Sequence, residues 1–237
     1  MPKTQPAASK AAKPNSTRAR ILAAARSLFN RDGERNVTTN HIAASLNISP
    51  GNLYYYFRNK SDILLELYSV HRDRMLAMLS LPPQTPFSIA LKAELMAKLA
   101  QAMWEDRYIY RDLEHILSAS DAIATLHQQT FHAVFAKTLE LHTALEQAGL
   151  IVATPREQRD LTYNAWIILT NWIGFLRTTA QVDVGDEASQ ALINRGVYQV
   201  LALEKAFMTA EARAQVDAWA DRYYTALDEL HEPDHAH

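Results

Sequence analysis

The chain contains no cysteine, only six glycines among 237 residues, and no apolar run long enough to cross a bilayer. Without thiols there is no disulfide framework and no thiolate chemistry, and the composition suits a reducing compartment. No Gly-rich phosphate loop, no His-Glu-x-x-His and no Gly-x-Ser-x-Gly occurs, so the commonest signatures of nucleotide, zinc and acyl chemistry are missing. The richest apolar stretch, Ala165–Phe175, is interrupted by Thr170 and Asn171 and falls short of a membrane span. Ile21–Ala25, bracketed by Arg20 and Arg26, is too short for a signal-peptide core. The chain therefore reads as soluble and cytoplasmic, with no membrane partner. Nine histidines are scattered. His127 and His132, five apart, do not share a helix face, and His231, His235 and His237 read as a frayed tail. His115, beside Glu114 and near Asp112, reads as a satisfied histidine ahead of a ligand contact. Neither catalysis, a cofactor nor a metal site is expected.

What remains is rich in Ala, Leu, Glu, Arg and Gln, with 48% apolar residues, which favours an all-α globular protein. The net charge of −2 conceals a division. Residues 1–60 hold ten Lys/Arg against two acids, a net +8, and the remaining residues hold fourteen against twenty-four, a net −10. A basic end on an acidic body implies a local surface for a polyanion. Residues 1–15, without periodicity, read as a disordered basic arm.

The central stretch is Ser49-Pro50-Gly51-Asn52-Leu53-Tyr54-Tyr55-Tyr56-Phe57-Arg58-Asn59-Lys60. Ser49 suits an N-cap and Pro50 the first helical position. Three successive tyrosines point about 100° apart on a helix, so they cannot all face one core. At least one must face outward beside Asn52, Arg58 and Lys60, a mixture that suits phosphates and base edges. Ahead of it, Val37–Ile48 reads as a short helix capped by Thr38 or Thr39, with Ile42 and Leu46 on one face. Asn47 then tolerates the left-handed turn. Helix, tight turn and capped second helix have the spacing of a helix-turn-helix.

These residues resemble the TetR family of bacterial transcriptional regulators. The resemblance is carried by Thr38-Thr39, Ile42-Ala43, Leu46-x-Ile48 through Phe57, and Asn59-Lys60, about the first quarter of the chain. It implies an N-terminal three-helix helix-turn-helix domain over residues 16–75. A larger C-terminal helical ligand-binding and dimerisation domain would occupy residues 76–237. It implies further that Thr39, with Tyr55 or Tyr56, touches phosphates, and that Lys60 anchors the backbone at the next helix start. Asn40, Gly51, Asn52 and Tyr54 would approach the base edges of a pseudo-palindromic double-stranded DNA operator, with Pro50 also among the DNA-binding residues. Leu53 and Phe57 would be core supports. Asn47 stands where the family usually has Gly, and Asn40 where a larger or basic residue is common. Thr17 and Arg18, near the start of a first helix capped by Ser16 or Thr17, are further candidates for phosphate.

After Lys60, a helix starting at Ser61-Asp62 is expected to run to about Ser80, before the prolines of 81–86 break it. Five or six body helices follow, over about 87–105, 112–118, 121–148, 154–181, 186–207 and 209–230. Leu161–Arg177 carries two apolar faces, which calls for a second partner. With the resemblance this implies a homodimer through about residues 155–208. Trp104, Tyr108, Tyr110, Trp166, Asn171, Trp172 and Phe175 gather aromatic bulk with few polar groups, the composition of a small-molecule effector cavity. The expected protein is thus a homodimeric repressor released by a small effector. The alternatives are a helical interaction or ligand-binding module without operator binding, and a helical enzyme.

Overall fold

The computed structural model describes residues 16–80, 86–179 and 188–227. The basic arm, the segment 81–85 and the histidine tail lie outside them. The described residues are helical, without strands; one isolated antiparallel bridge joins Ile151 to Met208. None of the described helices is long and apolar enough to cross a membrane.

Four helices build the N-terminal unit. In α1 (Thr17–Asp32), Ser16 caps the start by accepting from the Ala19 N–H at 3.2 Å, and Gly33 at φ 88° ends it. Helix α2 (Thr39–Ser45) opens with a capping box in which Thr38 and His41 satisfy each other's backbone N–H, a device worth about 1 kcal/mol. Asn47 takes φ 53° in the turn, and Ser49 caps α3 (Pro50–Tyr56). Ile21, Ala25 and Phe29 of α1 close over Ile42, Leu53 and Phe57 in a fully buried core.

Helix α4 (Lys60–Leu79) begins a residue earlier than Ser61-Asp62 suggests, because Asn59 Oδ1 accepts from the Asp62 N–H at 2.8 Å. It runs unbroken from the head into the body and crosses the position expected for the domain boundary. The body holds seven further helices among the described residues: α5 (Ile89–Glu105), α6 (Arg107–Arg111), α7 (Leu113–Ser118), α8 (Asp121–Gln147), α9 (Pro155–Thr179), α10 (Ala188–Glu204) and α11 (Ala210–Ala220). That exceeds the five or six expected, because the short α6 stands apart from α7. The last helix stops at Ala220 and gives way to a 3-10 turn that buries Tyr223, so the periodicity reaching Leu227 does not mark one continuous helix. Helices α8, α9 and α10 pack side by side, with α4 lying along α8.

The end of α1 is bolted to α6. Asn30 donates to the Glu105 carbonyl at 2.7 Å and accepts from the Tyr108 N–H at 3.1 Å, while Arg111 donates to the carbonyls of Asn30 and Phe29. Buried charge joins this seam. The Glu34 carboxylate, shut from solvent, meets Lys60 Nζ at 2.7 Å and His115 Nε2 at 3.2 Å.

Candidate nucleic-acid interface and body cavity

Helix α3 is held by its underside and leaves its outer side bare. Leu53 is fully buried and Phe57 nearly so, and removing either side chain should cost about 2–5 kcal/mol. Pro50, Gly51 and Asn52 are exposed, Tyr54 is 48% exposed and Tyr55 84%. Across the turn, Thr39 Oγ1 lies 3.1 Å from the Tyr54 hydroxyl, and Asn40 is exposed at the start of α2. The structure thus brings Thr39, Asn40, Gly51, Asn52, Tyr54 and Tyr55 onto one surface. Arg20, Arg35 and Arg58 are also exposed on this unit and make no ion pair with a described residue. Gly51 has no internal reason to lack a side chain, since an added Cβ would meet only Ser49 Oγ at 3.9 Å.

Three expected phosphate contacts sit differently. Tyr56 is half-buried, with its ring edge-on to Tyr55 at 5.1 Å, so the freer hydroxyl of the pair belongs to Tyr55. Lys60 turns inward: besides its pair with the Glu34 carboxylate, it donates to the Glu34 carbonyl at 3.0 Å. A cation committed to a buried carboxylate is a structural tie, and the expectation of a backbone anchor gives way to that. Arg18 is likewise spent. Its guanidinium pairs with Glu66, donates to the Tyr56 carbonyl at 2.9 Å and lies 4.3 Å above the Phe57 ring.

The body holds a cavity of about 120 Å³ between α4, α5, α8 and α9, to which α6, α7 and α10 also contribute. Of the seven aromatic and polar residues expected there, Tyr110 and Trp166 line it. The other five lie elsewhere. Tyr108 is buried against Phe29, with ring centroids 5.4 Å apart. Trp104 stacks under Arg107 at 4.1 Å. Trp172 donates to the Leu192 carbonyl at 2.7 Å and presses on Gly196, while Asn171 and Phe175 are exposed on α9. Aromatic bulk alone does not separate a cavity wall from a helix–helix seam.

The polar groups of the cavity gather at two places that aromatic content did not mark. In one, the Tyr68 hydroxyl lies 2.6 Å from His127 Nδ1, and the Tyr110 hydroxyl lies 3.0 Å from His71 Nε2. His71 Nδ1 in turn lies 2.8 Å from Asp106, which Arg74 also holds. Burial lowers the His127 pKa, favouring the neutral imidazole, and it raises the Tyr68 and Tyr110 hydroxyls. In the other, Glu204 meets Lys92 Nζ at 2.5 Å and His142 Nε2 at 3.1 Å, and His142 Nδ1 lies 2.9 Å from Thr162 Oγ1. Burial alone would raise the Glu204 pKa, but Lys92 and His142 outweigh it and hold it at about 2. The sequence did carry a sign of this cluster. Lys92 interrupts the apolar stripe Ile89, Leu95, Leu99 of α5, a place where an unpaired lysine would be costly.

The sequence matches the family of bacterial regulatory proteins described as the tetR family over residues 21–67. It matches the family described as TetR, bacterial transcriptional repressor, over residues 71–216. Among solved structures, it is similar to a TetR-family transcriptional regulator from Marinobacter aquaeolei VT8. The identity is 34% and the TM-score 0.79, across 89% of this chain and 100% of the other. A transcriptional regulator from Saccharomonospora viridis in complex with choline is similar at 18% identity and TM-score 0.58, across 78% and 94% of the two chains. SmeT, the repressor of the Stenotrophomonas maltophilia efflux pump SmeDEF, is similar at 15% identity and TM-score 0.57, across 84% and 93%. The last two share the fold. No curated protein matches the sequence.

Proposed function

The chain belongs to the TetR family of bacterial transcriptional regulators, and from that premise we propose a homodimeric repressor that a small molecule releases from its operator. The observation that carries the reading is the bare outer side of α3, supported from beneath by Leu53 and Phe57 and flanked by Thr39 and Asn40. On this reading Asn52 pairs with a base edge, Tyr54 lies against a thymine methyl, and Gly51 permits the duplex to come close. Thr39 and Tyr55 take phosphates.

A second observation supports the dimer. Helix α9 exposes Tyr163, Ile167 and Phe175, and between them Gly174 faces open space, where an added Cβ would touch nothing within 4 Å. Glycine inside a helix costs about 1 kcal/mol relative to alanine, so an uncrowded one calls for a partner that needs the room. A second copy crossing here pairs the two heads, and two half-sites a helical turn apart, ~34 Å, turn a weak contact into a selective one.

Release is a population shift. The ligand must favour a body conformation whose heads no longer match the half-sites, and the shift cannot exceed its differential affinity for the two states. The protein works in the cytoplasm, where its DNA is, and it binds and lets go without catalysis.

The test is selection of bound fragments from genomic DNA, followed by footprinting of the winner with and without ligand. A protected pseudo-palindrome that the ligand abolishes supports the reading. Protection unchanged at saturating ligand would remove the release mechanism, and failure to select any sequence would remove the operator.

A further inference from the structure

We propose that the body cavity, read above as the effector site, takes a long, single-chain, uncharged amphiphile: an aliphatic tail ending in a neutral hydrogen-bonding head such as an alcohol. The inference rests on that reading of the cavity and adds the ligand's chemistry.

Length comes from α8. His127, Thr130, Val134, Leu141 and His142 all line the cavity, so one face of this helix forms its wall from end to end. His127 and His142 are fifteen residues apart, a rise of ~22 Å. A volume of about 120 Å³ drawn out over that distance is a slender tube. A fused-ring or globular ligand does not suit it; an extended alkyl chain does. Between the ends the lining is supplied by Met75, Leu79, Leu95, Leu99 and Leu113, and the methionine adapts to a chain that bends.

Charge comes from the two ends. The only Lys, Arg, Asp or Glu side chains among the described lining residues are Lys92 and Glu204, and they neutralise each other at 2.5 Å. A carboxylate or ammonium head entering this cavity finds no unspent counter-charge, and burying an uncompensated charge is prohibitive. At the Lys92–Glu204 end, His142 and Thr162 extend the carboxylate's own chain of polar contacts. At the opposite end, the His127 ring, which burial biases toward its neutral form, meets Tyr68 through one nitrogen, and the Tyr110 hydroxyl oxygen keeps acceptor capacity. That end suits a group that both donates and accepts a hydrogen bond without carrying charge.

The experiment titrates the purified full-length protein with 1-alkanols from octanol to hexadecanol, reading heat and the fluorescence of Trp166, which packs 5.8 Å from His127. Dodecanoic acid, dodecyltrimethylammonium and a two-ring phenol serve as comparisons, all below micellar concentration. The expected result is a gain of about fourfold in affinity per added methylene, the equivalent of about 0.8 kcal/mol, levelling off where the tube ends. The charged twelve-carbon chains should bind at least about tenfold more weakly than dodecanol. Val134→Phe, near the middle of the α8 wall, should bring the levelling-off to shorter chains while helicity by circular dichroism is kept. If that variant does not fold, the wild-type series still decides. A flat series, tighter binding of either charged chain, or tighter binding of the phenol overturns the proposal. Operator release is read separately. Alkanol binding without release removes the effector reading and leaves the ligand class, whereas release by another compound with a flat alkanol series does the reverse.

Discussion

At the scale of single residues, buried charges carry the sharpest consequences. Glu204 and Lys92 are 5% and 4% exposed and hold each other. Removing one partner strands the other, so Glu204→Gln should lower unfolding free energy by about 3–5 kcal/mol, while the double replacement Lys92→Met with Glu204→Leu should recover most of it. Urea melts of the three proteins check this. Because the folded pKa of Glu204 is depressed, its stabilisation is complete above the ordinary carboxylate value of 4.5 and is lost as pH falls toward about 2. The Glu204→Gln variant should therefore show a flatter loss of stability across that window. Lys60 behaves alike. Among the described residues, Lys60→Ala leaves the Glu34 carboxylate with His115 as its remaining ion-pair partner, so thermal stability should fall, whereas the salt slope of DNA binding by the folded fraction should not change. A slope flattened by about one unit would restore Lys60 to the phosphate backbone. From sequence, Lys60 read as an exposed cation because its partner lies twenty-six residues away, beyond both α2 and α3, and one-dimensional spacing carries no information about such a pair.

At the scale of elements, the helix-turn-helix was legible because its information is local. Ser16, Thr38, Asn47 and Ser49 each do chemistry on residues within four or so positions. The body was legible as helices but not in its divisions. Helix α6 is five residues long and has no side-chain cap; it is held by the Asn30 and Arg111 bonds to α1, which no periodicity displays. The cavity was misread for a related reason: Trp172 has the size of a pocket wall but fills a crossing with α10. There an added Cβ on Gly196 would sit 2.6 Å from the Trp172 ring. Gly196→Ala should accordingly cost about 1–3 kcal/mol by forcing the indole aside, measurable as a lowered melting temperature. Gly51→Ala makes the opposite forecast. Nothing among the described residues obstructs the methyl, so stability should hold or rise by a few tenths of a kcal/mol, and operator affinity should fall, because the proposed docking brings the duplex against this position. Melting and DNA titration on the same sample separate the two effects.

At the scale of the whole molecule, the charge division and the exposed apolar residues of α9 describe a protein with two working surfaces at a distance. One is the basic head of a DNA-binding regulator; the other is the α9 face proposed to meet a second copy. Ile167→Glu, on a residue 56% exposed, should leave the protomer's melting nearly unchanged yet convert the dimer to monomers in sedimentation. Cooperative operator binding should go with it. If the protein sediments as a monomer before any substitution, the crossing at Gly174 is not an interface. The most direct measurement of the central claim is a hydroxyl-radical footprint on the genomic fragment that the wild-type protein selects. Two protected half-sites one helical turn apart are expected, both lost in Asn52→Ala at a concentration where that variant remains folded and dimeric. A single unpaired patch, or protection that survives Asn52→Ala unaltered and follows no sequence, would contradict it.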